Sequence, residues 1–436
     1  MSTTAPASRS GAWLWVLVGS AVLTQSGANL LRPITSYKLL GLHADPVVIG
    51  LTTAAYALIP LVTAVWLGRV SDRMPQLRLL ILTGVGLLAL AGVGLAVAGS
   101  VWLILVASAV LGMGHLCFTI GGQTAIARYA ADRDLDKGFG WFTAAFSAGQ
   151  MIGPALGGWI VGHGTDVASA ERMAAVNESL WIGVAVTVLA VPLFLARSSL
   201  PAGVPDGAGD VAASPPDADH AAGGPQEPPQ GRATTLGILR VPGIVSHMVA
   251  AMSLLAMLDI LTAFLPLVGE EVGVAPSMVG VLLGVRGLAS IASRLLLPWL
   301  SGRFSRQTLL VVSLIASGVT LIVPPLFLDC FWWAALFLAV GGFFLGLGQP
   351  LTMTMISTSV PDAWRGSALA VRLMGNRVGQ VLLPVAAGAV AAPLGPGGAI
   401  WLTCALLLGS GLEKAVHRQR GAPAEGRTAG SVSGPS

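Results

Sequence analysis

Charge is what this chain has least of. Only 10% of its 436 residues are Asp, Glu, Lys or Arg, against about 25% in a soluble domain. No water-soluble core could hide the remaining apolar sequence. With 54% hydrophobic residues and a mean hydropathy of +0.78, most of the chain has lipid as its solvent. Cysteine is nearly absent: Cys117, Cys330 and Cys404 are scattered, without metal or redox spacing, and read as small packing residues rather than a disulfide set. The six histidines are dispersed. No Ser/His/Asp set or metal-ligand cluster is visible, so the sequence offers no enzyme chemistry, no cofactor and no metal site. A nucleotide-binding phosphate loop is missing too, which argues against direct ATP drive. The net charge of +4 follows the arrangement of the loops and does not signal nucleic acid.

What is present is a series of apolar runs. They fall near 13–38, 46–69, 77–99, 101–127, 138–162, 178–197, 243–268, 276–301, 307–328, 331–357, 366–392 and 397–416. Each is near or above the roughly 20 residues a bilayer requires, and twelve transmembrane helices are expected. The first run follows Arg9 but continues past signal-peptide length without a clear cleavage site, so it reads as an uncleaved helix. With both termini in the cytoplasm, the inner segments hold seventeen Arg and Lys residues, among them Arg69, Arg73, Arg78, Arg128, Arg303 and Arg306. The outer loops would hold only Lys38 and Arg172, beside Asp45, Asp166, Glu171, Glu178, Glu270, Glu271 and Asp329. That asymmetry satisfies the positive-inside rule.

Residues 198–240 differ in kind. They are rich in Pro, Ala, Gly and Asp and almost free of large apolar side chains, a composition that cannot bury enough surface to fold. The expected organisation is a six-helix bundle at 1–197, a disordered cytoplasmic linker at 198–240, a second six-helix bundle at 241–420 and a flexible tail at 421–436. The halves look duplicated. Residues 149–158 read GQMIGPALGG and residues 379–388 read GQVLLPVAAG, 230 positions apart. Gly50 and Gly280 open two further runs at the same offset, and Arg73 and Arg303 close them in register. Gly-Met-Gly-His at 112–115 and Gly-Leu-Gly-Gln at 346–349 match at an offset of 234. Two related halves are typical of secondary transporters.

Two motifs carry a resemblance that covers nearly the whole chain. The loop after the second run contains Gly68, Asp72, Arg73 and Arg78 in a Gly-x-x-x-Asp-Arg pattern, with Pro75 and Gln76 where a second glycine and a basic residue are usual. The fifth run matches G-x8-G-x3-G-P-x2-G-G through Gly140, Gly149, Gly153, Pro154, Gly157 and Gly158. The chain resembles the major facilitator superfamily, and the second motif resembles that of its antiporters. The resemblance implies an all-α integral membrane fold of two pseudo-symmetric six-helix bundles that works by alternating access, commonly as a monomer. It implies a gating role for the first motif and for Arg303, and close packing in the fifth helix. In one departure, Ser108 stands where the family's proton-linked exporters often carry Arg in the fourth span.

The ionisable residues inside runs are the sharpest clue to function, because a charge at mid-bilayer is costly unless it faces a cavity or a partner. They are Arg32, Asp259, Arg286, Arg294, Arg372 and Arg377. Arg372, Asn376 and Gln380, spaced i, i+4, i+8, form a polar stripe on the eleventh span. Their register counterparts on the fifth are Phe142, Phe146 and Gln150. One apolar and one cationic wall would suit an amphiphilic molecule with an anionic group, held by Arg286, Arg372, Asn376, Arg377 and Gln380, with His115 and Arg32 contributing. Gln25, Asn29, Gln123 and Gln349 could add neutral hydrogen bonds or simply join helices. Asp259 has two competing roles: a proton carrier that couples transport, or a fixed counter-ion to Arg286. Arg294, near a span end, is expected to snorkel.

Three readings follow. The first is proton-coupled efflux of a small organic compound across the bacterial inner membrane, with substrate, protons and lipid as partners. The second is uptake or exchange of an organic anion, favoured by the arginines and by Ser108. The third, from a different class, is a membrane scaffold or sensor without transport.

Overall fold

A computed structural model describes residues 12–130, 135–162, 169–195, 235–361 and 364–421. Fourteen helices run through them: α1 (Ala12–Gly41), α2 (Pro46–Arg73), α3 (Leu77–Val97), α4 (Val101–Tyr129), α5 (Leu135–Val161), α6 (Ala170–Val188), α7 (Ala190–Leu195), α8 (Thr235–Leu239), α9 (Ile244–Glu271), α10 (Pro276–Arg303), α11 (Arg306–Thr320), α12 (Phe331–Thr358), α13 (Arg365–Leu394) and α14 (Pro396–Gly421). Ten candidate spans are long and apolar enough to cross a membrane, with α6 and α7 counting as one. Helices answer the demand that every backbone polar group in lipid find a partner within its own segment. The α5 helix has 27 residues, but six glycines, Gln150 and Pro154 dilute its apolar character.

Two boundaries differ from the sequence expectation. The sixth span begins at Ala170, so Arg172 and Glu178 belong to a helix rather than an outer loop. Ser169 caps it by accepting from the Arg172 backbone N–H at 3.2 Å. The α11 helix stops at Thr320, well short of 328. Pro324 and Pro325 follow in a stretch of turns, where proline cannot continue a helix. Most of the expected linker, and the tail beyond 421, lie outside the described residues. The linker's last segment is helical at Thr235–Leu239, with Ile238 buried.

Helices α1–α7 pack among themselves, as do α9–α14, and the two groups meet mainly where α5 crosses α10, α2 crosses α13 and α1 crosses α9. Small residues set the close crossings. A Cβ on Gly84 of α3 would lie 2.9 Å from the Gly114 carbonyl oxygen of α4. Gly149 and Gly153 of α5 press on α1, where a Cβ on Gly153 would lie 2.6 Å from the Ser26 carbonyl oxygen. Lys38 is not in a loop. It is buried in the last turn of α1 and donates to the Leu95 and Ala96 carbonyls that end α3, at 2.6 and 2.7 Å, and to Asn177 Oδ1 at 2.9 Å.

The two crossings between the groups share one design. Each joins a Pro-x3-Gly at a helix start to a Pro-x3-Gly near a helix end: Pro46–Gly50 of α2 meets Pro384–Gly388 of α13, and Pro276–Gly280 of α10 meets Pro154–Gly158 of α5. A Cβ on Gly50 would press on the Pro384 carbonyl oxygen and lie 3.2 Å from Gly388 Cα; one on Gly280 would press on the Pro154 carbonyl oxygen and lie 3.0 Å from Gly158 Cα. All four positions pair at the offset of 230. At the same end, the Ser277 N–H donates to the Gly162 carbonyl at 3.3 Å. Arg172 pairs with Glu270 of α9 and stacks over Tyr37, its guanidinium carbon 5.5 Å from the ring centre. This end of the molecule is sealed. Toward the other end, Gly68 of α2, Gly140 of α5 and Gly302 of α10 have open space where a side chain would stand.

Candidate functional site

Below the seal, both groups of helices line a cavity of about 230 Å³. The first group contributes Gln25, Asn29 and Arg32 from α1, Tyr56 from α2, His115 from α4, and Phe146 and Gln150 from α5. The second contributes Asp259 and Thr262 from α9, Arg286 from α10, and Leu373, Asn376, Arg377 and Gln380 from α13. Of the residues expected to bind substrate, Arg286, Asn376, Arg377, Gln380, His115 and Arg32 come together here, with Asp259 among them.

Arg372 does not line the cavity. It turns toward α12, its Nη2 3.3 Å from the Gln349 carbonyl oxygen and 3.4 Å from Thr352 Oγ1. A second correction concerns Asp259. Its partner is Arg32, not Arg286: Arg32 Nη2 donates to Asp259 Oδ1 at 2.5 Å. Gln380 Nε2 donates to Oδ2 at 2.8 Å, and Arg377 Nη1 donates in turn to Gln380 Oε1 at 3.0 Å. The carboxylate is therefore shared by three helices from both groups, which is how a buried charge escapes its desolvation penalty. Arg32 also stacks on Tyr56, its guanidinium carbon 4.6 Å from the ring centre. Arg32, Tyr56 and Thr262 line a second, smaller cavity too, one walled by Thr35, Ile49 and Thr52 on the side of the seal. The Arg32–Asp259 pair thus stands between the two spaces.

Arg286 is handled differently. It is 2% exposed, and its Nε and Nη1 have no hydrogen-bond partner among the described residues. Gln25 Nε2, His115 Nδ1 and Asn376 Oδ1 are buried and unpartnered as well. Such groups cost free energy until something completes them. On the facing wall, aromatic rings interlock: His115 lies 5.7 Å from Phe146 and 5.9 Å from Tyr56, and Phe146 lies 4.9 Å from Phe142, all between ring centres.

The motif residues divide. Gly149, Gly153 and Gly157 pack against α1, and Pro154 and Gly158 form part of the seal, but Gly140 meets nothing within 4 Å. Gly68 likewise faces open space. The Asp72 side chain lies outside the described residues. Arg73 and Arg303 are exposed, Arg303 with its guanidinium carbon 4.5 Å above the Trp299 ring; Arg78 is half-buried. Arg128, not singled out from sequence, donates to the Met74 and Ser71 carbonyls at 2.7 and 3.1 Å and closes the C-terminal end of α2 beside the motif. Its place in the last turn of α4 was the available signal. Arg294 does not snorkel; it donates to Ser147 of α5 across the two groups. Tyr56 was overlooked, although it is one of only three tyrosines in the chain.

Comparison with known proteins identifies the family and the fold. The Major Facilitator Superfamily profile matches residues 17–267 and 247–431. Multidrug resistance protein 2 of Bacillus subtilis (strain 168) is 29% identical over 176 residues, 38% of this chain and 42% of its own length. The class B tetracycline resistance protein of Escherichia coli is 27% identical over 141 residues, 32% of this chain and 35% of its own length. The matched stretches thus span less than half of these relatives. The crystal structure of a D-xylose-proton symporter shares the fold, with TM-score 0.70 and 13% identity over 92% of this chain and 97% of that one. The chain belongs to the Major Facilitator Superfamily, and so to a family of multi-pass membrane transporters rather than enzymes.

Proposed function

We propose that this member of the superfamily is a secondary transporter that exports a small organic molecule from a bacterial cell by alternating access, in exchange for protons. The observation that carries the reading is a polar cavity built from both groups of helices and closed at one end by matched crossings. The arginine asymmetry of the loops puts the sealed end outside, so the cavity faces the cytoplasm. Opening the seal separates α1 from α9 and breaks the Arg32–Asp259 pair; a proton on Asp259 then replaces the lost cation. Closing it restores the pair and releases the proton. In this way Asp259 is both counter-ion and carrier, at different points of one cycle, and the two states differ in contact free energy as a switch requires. Twelve spans in two six-helix bundles joined by the 198–240 segment, both termini cytoplasmic, complete this reading, with the protein acting as a monomer. The multidrug and tetracycline resistance relatives support export.

The cationic excess of the cavity favours a second reading, uptake or exchange of an organic anion. Proteoliposomes separate the two. Export by antiport predicts that protons flowing down their gradient drive substrate the opposite way, and that Asp259→Asn abolishes this while exchange of preloaded substrate continues. If proton-driven movement survives in Asp259→Asn, Asp259 is not the coupling acid. If substrate moves with the gradient and stops when Arg286 is neutralised, anion uptake replaces export.

A further inference from the structure

We propose that the cargo is an aromatic carboxylate, its anionic group held by Arg286 and its ring against Tyr56, His115 and Phe146. The inference rests on the transporter reading above and names the substrate class for the same cavity.

Charge balance is the first argument. Arg32, Arg286 and Arg377 line the cavity, and Asp259 is the one carboxylate among its lining residues. Both Asp259 oxygens are committed, one to Arg32 and the other to Gln380. Neither Arg286 nor Arg377 has a carboxylate partner among the described residues. Arg377 at least donates to Gln380, whereas Arg286 leaves two nitrogens without any acceptor at 2% exposure. An unpaired guanidinium in a low-dielectric wall is expensive to keep. A carboxylate delivered by the cargo would complete it through charge-assisted hydrogen bonds. The protein also makes room for the cation: on α12, a Cβ on Gly342 would lie 2.8 Å from Arg286 Cγ.

The second argument is the facing wall. Edge-to-face contacts fix the His115 and Phe146 rings, and Tyr56 stands beside them. Such a surface rewards a flat, apolar ring. Asn376 Oδ1, an orphan acceptor, would take a hydroxyl donor on that ring.

The test is binding to the full chain in nanodiscs, followed by calorimetry. The probes are 4-hydroxybenzoate, its neutral analogue 4-hydroxybenzamide, the cation benzyltrimethylammonium, and sodium chloride alone. The carboxylate is expected to bind roughly tenfold to hundredfold tighter than the amide, the range a charge-assisted hydrogen bond supplies. Arg286→Gln should erase that preference, and retained amide binding shows the variant is folded. Arg377→Gln should reduce the preference less, and Arg306→Gln, on the surface, not at all. The proposal is overturned if the amide or the cation binds as tightly as the carboxylate, if Arg286→Gln keeps the preference, if chloride gives the whole effect, or if no probe binds. Transport is read separately in proteoliposomes. A bound carboxylate that is not carried refutes the transporter reading alone; a carried cation with no carboxylate binding refutes this one alone.

Discussion

Where α2 meets α13 and where α5 meets α10, the same contact is built twice: a glycine against a proline carbonyl, with a second glycine alongside. At mid-depth the same helices have parted company. The α5 helix presents Phe142, Phe146 and Gln150 at the positions where α13 presents Arg372, Asn376 and Gln380. The seal and the cavity walls have therefore been held to different standards. A seal must let two backbones touch, and only small residues do that, so both copies kept them. A wall must match a molecule that is not itself symmetric, so the copies were free to become one aromatic and one polar side. Both helices take part in the seal, and only their middles differ.

Three experiments would sharpen or break that comparison. The largest effect is expected at an asymmetric feature of the seal, the Arg172–Glu270 pair, whose register counterparts are Leu402 and Leu40. The side chains are 5% and 9% exposed, and removing one partner of a buried pair costs about 3–5 kcal/mol. Arg172→Ala should shift the population away from the sealed state, read as a longer distance between spin labels on α2 and α13 at that end. An unshifted distance would mean the pair is idle. Next, Gly280→Leu and Gly50→Leu should each oppose sealing by about 1–3 kcal/mol through overpacking and slow transport by similar factors. A seam that tolerates leucine while the other does not would end the claim that they are equivalent. The smallest effect belongs to Gly140. With open space around it, Gly140→Ala should raise thermal stability by up to about 1 kcal/mol and leave transport unchanged. Lost transport would show that this motif position finds a partner in another conformation.

Helix existence was legible because lipid leaves the backbone few options, and the span boundaries mostly followed. Two failures have simple causes. Glu171 and Arg172 read as loop because charge is rare in spans, yet a helix end capped by Ser169 accommodates both. Proline at 324 and 325 ended α11 although the apolar run continues. The duplication was visible, but not what its glycines touch; Pro46 and Pro276 were the missing half of that pattern. In the site, most of the residues expected from sequence line one cavity, but Asp259 pairs with Arg32 rather than Arg286. Arg32 and Asp259 are 227 residues apart, and no local spacing reports such a contact. The polar stripe of α13 was read as a line, but each i+4 step turns about 40° around a helix. Arg372 is therefore about 80° away from Gln380, enough to send it to α12.

The four Pro-x3-Gly segments have one more implication. Position 50 meets 388, and their shifted copies 280 and 158 meet each other. That is the form of an isologous contact, in which one patch serves both sides of a two-fold axis. Two free copies of a single half, docked about that axis, would make both seams from one set of residues. In such a dimer every substitution strikes twice. Joined into one polypeptide, each seam owns its residues, so one can gain a feature such as the Arg172–Glu270 pair while its twin keeps leucine.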